Sequence, residues 1–346
     1  PHQQQYQSDM KIKNRFNLFR LPQLALVLTS ATAMGGEEMK APAPAPISTP
    51  DWLKVSGYAA ASYTYTDVQH GDSDESLFDA GTPLDAVKLG LEATQGNFSG
   101  YASLFYSPNT DANSFAGGSE AGILDAYVSY TAGAFKITGG KYLSYLGYEA
   151  FDTVNMTQLT YANSTTGGVP AYHTGVKVDY VTGNHGLGAA VVDSIYGSTL
   201  FNGDGSYTSK GLEAYYTYKG IKDTQIWLGG LQDNDNGGAV YDLWVSYALN
   251  KTDSLGAEYL VKESDGYNWL LAYTKGIDSK LSVTARLSGE SSDVADAKFV
   301  KYTLSPSYAF TDKFTVRAEV SYTDYSGAGA STSNSTFYAI QSLFKF

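Results

Sequence analysis

The sequence predicts an all-β chain closed into an antiparallel up-and-down barrel of about sixteen strands. Three observations carry that prediction. From Trp52 onward apolar residues recur with a period of two rather than 3.6. About sixteen such segments follow one another, many of them 9–12 residues long. The connections between them alternate short and long in nearly unbroken order.

The segments start near residues 52, 86, 98, 122, 135, 171, 186, 209, 224, 239, 254, 267, 280, 297, 314 and 335. In the segment from Phe314 to Tyr325, Phe314, Val316, Ala318, Val320 and Tyr322 share one face, opposite Thr315, Arg317, Glu319, Ser321 and Thr323. Leu281, Val283, Ala285 and Leu287 likewise oppose Ser282, Thr284, Arg286 and Ser288. From Tyr172 to Tyr180, the face carrying Tyr172, Thr174, Val176, Val178 and Tyr180 opposes His173, Gly175, Lys177 and Asp179. Successive side chains of a strand point to opposite sides, so each segment has one apolar and one polar face. The segments exceed the usual globular strand and match the length of a tilted strand that crosses a bilayer.

The short connections are 95–97, 132–134, 182–185, 220–223, 249–253, 276–279 and 311–313. The longer ones cover 66–85, 108–121, 143–170, 196–208, 233–238, 263–266, 290–296 and 326–334, and are rich in Gly, Ser, Asn and Asp. A meander inserted into a membrane from one side has this asymmetry, with short periplasmic turns and longer external loops. Lipid cannot satisfy an open sheet edge, so the sheet must close. An even strand number lets the first strand pair antiparallel with the last. Apolar faces then meet lipid and polar faces the lumen, which accommodates a mean hydropathy of −0.23. Tyr63, Tyr65, Tyr130, Tyr180, Tyr218, Tyr247, Tyr273, Tyr308 and Tyr322 fall on outward faces, several near strand ends. Amphipathic rings favour membrane interfaces.

Composition narrows the function. The chain carries 35 acidic against 23 basic residues, a formal charge of −12, which argues against a nucleic-acid partner. It has no cysteine, which excludes disulfides, thiolate metal sites and cysteine nucleophiles. Met10 opens a basic run (Lys11, Lys13, Arg15, Arg20), followed by apolar Leu21 to Leu28 and the A-x-A pattern Ala31-Thr32-Ala33. This is the layout of a secretory signal peptide, too short in its apolar part to span a bilayer. Residues 1–33 are therefore expected to be an N-terminal extension plus signal, 34–51 a stiff linker containing APAPAP, and 52–346 the barrel.

The centre of the chain is more specific. Gly139-Gly140-Lys141-Tyr142 leads to Leu146-Gly147-Tyr148-Glu149, then Asn155, Leu159-Thr160-Tyr161, Pro170 and His173-Thr174-Gly175-Val176. This succession resembles the OmpL-like β-barrel porins of bacterial outer membranes, loosely over 52–346 and sharply at 139–180. The resemblance implies a Gram-negative outer-membrane channel for passive diffusion of ions and small hydrophilic solutes, without cofactor or catalysis. The terminal aromatic Phe346 on an alternating last strand resembles the signal read by the barrel assembly machinery. A homotrimer is compatible with the resemblance.

The longest connection, 143–170, is the third long loop, and loops of this length in compact domains usually have a job. By analogy with general porins it is expected to fold inward and constrict the pore; the alternative is a surface loop lying over the barrel mouth. Tyr145, Tyr148, Glu149, Asp152, Asn155, Gln158 and Tyr161, with Asn163, are the expected lining. Inward parity nominates Lys54, Lys88, Lys136, Lys177, Lys219, Lys262, Arg286, Lys301, Arg317 and Lys345 as basic wall residues. Glu92, Asp125, Asp179, Glu213, Asp242, Glu258 and Glu319 are the acidic ones. The wall is thus roughly balanced, and the negative excess falls in loops such as Asp72–Glu75 and Asp233–Asn236, with a slight expected preference for cations. Sixteen strands favour an aqueous lumen over one filled by side chains. Three rivals remain: a barrel enzyme, an adhesive or structural barrel whose loops bind a partner, and a secreted soluble β-protein. An enzyme would need a nucleophile–base pair, and past Ala33 only His70, His173 and His185 are present, with no elbow motif beside them.

Overall fold

The computed structural model describes residues 50–70, 73–80, 85–107, 121–162, 169–194, 210–233, 238–263, 265–330 and 333–346. The leader and linker expectations fall on residues outside this set, apart from Pro50 and Asp51. The described residues form one all-β unit. Its strands are β1 Leu53–His70, β2 Ser73–Ala80, β3 Ala86–Gln95, β4 Phe98–Tyr106, β5 Ala121–Ala132, β6 Phe135–Leu143, β7 Tyr172–Thr182, β8 His185–Val192 and β9 Gly211–Tyr218. They continue as β10 Thr224–Asp233, β11 Gly238–Ala248, β12 Ser254–Lys262, β13 Gly266–Gly276, β14 Leu281–Ser292, β15 Ala297–Ala309, β16 Phe314–Ser326 and β17 Asn334–Lys345.

Every strand pairs antiparallel with its neighbours, and β1 pairs with β17, so the sheet closes. The seventeen strands occupy sixteen positions. The outer half of β1 pairs with β2 (Tyr63 opposite Ala80) and its inner half with β3 (Ala60 opposite Ala86), so β2 and β3 share one position. The connection expected at 66–85 is therefore largely strand: β1 runs on to His70, and Ser73–Glu75 of the acidic run begins β2. Period-two alternation is weak there because the hairpin extends past the lipid-facing zone. At the seam the Gly57 N–H donates to the Phe346 carbonyl at 3.1 Å and the Phe346 N–H to that of Gly57 at 3.0 Å. Closure leaves no ladder edge in hydrocarbon.

The wall is inverted relative to a soluble protein. Val128, Leu228, Leu271 and Ile340 lie outside, 52–60% exposed. Gln341, Ser305, Ser288 and Thr284 lie inside and are buried. Outward rings pair near both ends of the strands. Phe98–Tyr130 (4.8 Å), Phe135–Tyr180 (4.6 Å) and Tyr308–Phe310 (4.8 Å) mark the short-turn end. Tyr65–Tyr338 (6.1 Å) and Tyr259–Tyr267 (5.8 Å) lie toward the long-loop end.

Two irregularities prepare the interior. A β-bulge sets Leu124 and Asp125 against the single residue Ser103, so two consecutive side chains turn inward. Ser103 Oγ donates to Asp125 Oδ2 at 2.6 Å and accepts the Asp125 N–H at 3.1 Å. The start of β7 departs from parity too: Tyr172, expected to face outward, is 2% exposed and packs edge-on against Phe151 at 5.1 Å, beside buried His173.

Leu228→Arg, at the middle of an outward face, is expected to lower the stability of the lipid-embedded barrel by about 2–4 kcal/mol in denaturant unfolding from vesicles. Ser246→Arg, on an inward face, should cost much less.

Candidate functional site

Beyond Leu143 the chain does not return as β7 but enters the barrel. The first arm of this segment follows the acidic side of the wall. Ser144 Oγ donates to Glu213 Oε1 at 2.6 Å. The Gly147 N–H donates to Asp242 Oδ2 at 2.9 Å and the Tyr148 N–H to Glu258 Oε1 at 2.6 Å. Gly147 has a φ of +101°, a conformation that L side chains rarely adopt, and a Cβ there would lie 3.0 Å from Val169. Glu149 then meets Arg286 on β14, with Nη1 2.5 Å from Oε1.

The segment next reaches β1 and β3. Asp152 accepts Lys88 Nζ at 2.9 Å and the Tyr58 hydroxyl at 3.3 Å. Lys88 also bonds Asp125, at 3.0 Å, so the bulge supplies the other half of its cradle. After a single 3₁₀ turn, Thr153–Asn155, the second arm runs back along β16, β15 and β14. Arg317 Nη1 donates to the Met156 carbonyl at 2.7 Å, and Arg317 also reaches Gln341. Glu319 accepts the Leu159 N–H at 2.7 Å and the Thr160 hydroxyl. Arg286 donates to the Thr160 carbonyl at 2.8 Å, Lys301 to that of Tyr161 at 3.0 Å and Ser288 Oγ to that of Ala162 at 2.8 Å. The arms are tied together where the Ala162 N–H meets Glu149 at 2.6 Å and the Tyr161 hydroxyl meets the Phe151 carbonyl at 2.8 Å.

The pattern is consistent. Where the wall meets the segment's main chain, carboxylates take its N–H groups and cations take its carbonyls, while Arg286 and Lys88 also pair with its Glu149 and Asp152 side chains. Inside a barrel a non-helical backbone needs such partners, and charge-assisted bonds are the strongest available. Two apolar clusters support the segment. Leu146 packs with Tyr142, Trp227, Leu231 and Leu260; Phe151 and Val154 pack on Tyr58, Phe105, Leu124 and Leu343. A belt of buried inward residues consequently runs round all sixteen positions, from Ala60 through Lys88, Tyr142, Glu213, Asp242, Leu270 and Ser305 to Gln341. The segment itself keeps accessible surface: Asn155 and Thr157 are exposed, and Tyr145, Tyr148, Glu149, Asp152 and Tyr161 are half-buried. Burial and the adjacent Asp179 push the Tyr145 hydroxyl well above the phenol range, and burial with Glu149 and Asp152 does the same to Tyr161. Both hydroxyls therefore stay protonated donors.

The sequence-nominated residues separate into distinct places. Lys88, Asp125, Glu213, Asp242, Glu258, Arg286, Lys301, Arg317 and Glu319 bond the inserted segment or support its anchors. Gln158 is 3% exposed, so it is packed away rather than presented to water. Lys177 lies over the Tyr142 and Tyr145 rings at 4.4 and 4.7 Å, and Asp179 accepts the Tyr145 and Tyr215 hydroxyls at 2.9 and 3.1 Å. Lys136 is exposed, and Lys54 pairs with Glu92 at 3.7 Å near the short-turn end. Lys262 stands 4.0 Å from Asp265. Lys219, expected on the wall, sits in the turn after β9. Lys345 is exposed at the end of β17. Asn163, Asp72 and residues 234–237 lie outside the described residues.

Sequence reasoning missed Ser144 and gave Thr160 and Lys141 no role beyond their place in the motif succession. Lys141 is completely buried and donates to the Ile123 carbonyl at 3.0 Å, beside Gly140, whose φ of +133° would place a Cβ 2.2 Å from the Ala126 carbonyl. The G-K doublet was the available signal. His173 Nε2 and Ser144 Oγ both approach Glu213 Oε1, at 3.1 and 2.6 Å, so the two side chains share one carboxylate. Near the short-turn end a cavity of ≈680 Å³ opens between Tyr148, Gln225, Ser246 and the 219–223 turn.

A lipid-facing barrel of sixteen positions, with one long connection folded against its inner wall, is the architecture of an outer-membrane porin. Residues 52–346 match the family model described as Putative beta-barrel porin-2, OmpL-like, and the chain belongs to that family. It is an integral outer-membrane channel for solute diffusion. No curated protein matches it by sequence. Among solved structures it is similar to OprB of Pseudomonas putida (11% identity, TM-score 0.64, covering 85% of this chain and 94% of that one). It is also similar to the anion-selective porin from Comamonas acidovorans (12%, 0.61, 85% and 99%). The outer-membrane channel DcaP of Acinetobacter baumannii is a third (12%, 0.59, 85% and 97%). These likenesses support the fold.

Glu319→Ala removes the acceptor of the Leu159 and Thr160 N–H groups and of the Thr160 hydroxyl, and is expected to free residues 156–161, read as faster proteolytic cleavage there in the folded barrel. Glu319→Gln keeps an acceptor and should leave cleavage close to wild type.

Proposed function

We propose that the inserted segment, described at 144–162, is the constriction of the channel, and that ions and small hydrophilic solutes pass it by diffusion with no covalent step. The observation that supports this is the belt: every wall position carries a buried inward residue there, and the segment presents accessible polar groups beside it, together with half-buried Lys177, Asp179 and Lys301 of the wall. Solute size is then selected by how closely the segment is held, and solute character by Tyr145, Tyr148, Glu149, Asp152, Asn155 and Tyr161. Charge rings act on ions when they stand at the narrowest point. Nine of the wall charges, among them Lys88, Glu213, Arg286, Arg317 and Glu319, instead hold the segment or support its anchors, and they act on selectivity through its position. The seam at Phe346 suits recognition of the last strand by the barrel assembly machinery, and a homotrimer is the assembly we expect for the mature chain.

The test is a planar-bilayer recording of the purified barrel in KCl. Deleting residues 150–158 should raise single-channel conductance above wild type while leaving a folded, heat-modifiable barrel. Equal conductance in the two proteins would contradict the assignment.

A further inference from the structure

The two arms of the segment are anchored by different chemistry. The second arm rests on Arg286, Lys301 and Arg317, together with Glu319. The first arm is held mainly by carboxylates: Glu213 takes Ser144, Asp179 takes the Tyr145 hydroxyl, and Asp242 and Glu258 take the N–H groups of Gly147 and Tyr148. The last two carboxylates stand on paired strands at adjoining inward positions, Asp242 opposite Leu260 and Glu258 opposite Trp244, and they accept N–H groups from consecutive residues. Asp242 is 1% exposed and Glu258 7%. Among the described residues neither forms an ion pair, and Asp242 Oδ1 is buried without a hydrogen-bond partner.

Among the described residues the neighbouring elements supply no compensating cation. β10 presents Trp227 and Leu231, β13 presents Asn268 and Leu270, and β11 itself adds Val240 and Trp244. The segment brings Tyr148 and a further carboxylate, Glu149, whose partner is Arg286. On β12 the nearest inward cation is Lys262, which stands by Asp265. On β9, Glu213 is taken by His173 and Ser144. Two ionised carboxylates side by side in such a place repel each other and lack solvation, so the arrangement favours a proton on the pair. If the arm swings away, water reaches both carboxylates and each ionises as an ordinary carboxyl group.

Building on the assignment of the segment as constriction, we propose that Asp242 and Glu258 form a proton-operated catch for its first arm. The latched form holds one more proton than the released form. Low pH therefore favours the latched, narrow channel and rising pH the released, wider one, with a limit of about tenfold in the ratio per pH unit for one linked proton. The proton moves between the pair and bulk water, and no bond other than O–H forms or breaks.

The experiment is single-channel recording of the full barrel at pH 5 and pH 8, symmetrical across the bilayer and without divalent ions. Wild type is expected to shift by several-fold toward its larger conductance level at pH 8. Asp242→Asn and Glu258→Gln keep an acceptor oxygen for the Gly147 or Tyr148 N–H but remove the charge repulsion, and each should stay in the smaller level at both pH values. A pH shift of wild-type size in both variants would overturn the catch. So would a wild type that responds to added Ca²⁺ instead of protons, which would make the pair a cation site. If the 150–158 deletion itself leaves conductance unchanged, the constriction assignment fails rather than the catch. If the deletion widens the channel and the variants still titrate normally, the catch alone fails. Infrared difference spectra between the two pH values give a second readout: a protonated-carboxyl band should be lost on raising the pH in wild type and reduced in each variant.

Discussion

A peptide group that leaves water must find a hydrogen-bond partner, and this requirement organises the molecule twice. In the wall it forces every strand to pair on both sides, so the sheet closes through β1 and β17 and the Gly57–Phe346 bonds complete the seam. In the lumen it acts on a segment with almost no regular structure. There the partners cannot be another strand, so they are the side chains of the wall: carboxylates for N–H groups and guanidinium or ammonium groups for carbonyls. The charges of the inner wall make sense as a template for one path of main chain.

That template links sequence to permeation. Ser144, Tyr145, Glu149, Asp152 and Thr160 bond the wall through their side chains, but much of the anchoring is through the main chain, which leaves the segment's other side chains to face water or to pack. Leu146, Phe151 and Val154 pack, and Asn155 and Thr157 remain exposed. The bulge at Leu124–Asp125 serves the same end, turning an apolar side chain and a carboxylate inward together, one toward Phe151 and Tyr172 and the other toward Lys88. Change in the segment's exposed residues can thus tune what passes without loosening its attachment, whereas change in the wall charges moves the whole segment.

Much of the fold was legible because lipid imposes a strict alternation. Strand starts such as Ala86, Phe98, Phe135, Thr224, Ser254 and Phe314 follow directly from period-two patterning. β2 was not legible, since outside the lipid zone nothing demands an apolar face, and its Ser- and Asp-rich sequence reads as a loop. Tyr172 was misplaced for a related reason: near the long-loop end of its strand an aromatic residue can turn inward to a folded-in segment rather than outward to lipid. The site was half legible. Parity identified the inward charges, but their partner was invisible, because hydrogen bonds to main chain leave no trace in the identity of the residue that receives them. Gln158 shows the converse limit, a polar residue in a polar loop that packs against the wall.

The most direct test of this account is whether current runs past the segment. The chain has no cysteine, so a single Asn155→Cys variant offers one thiol at an exposed position of the 3₁₀ turn. We would record its current in a planar bilayer while adding a charged, water-soluble thiol reagent. The account predicts a stepwise fall in conductance as the thiol is modified, with none in a Leu228→Cys control on the lipid face. Complete modification of residue 155 with undiminished current would show that the ions take another route.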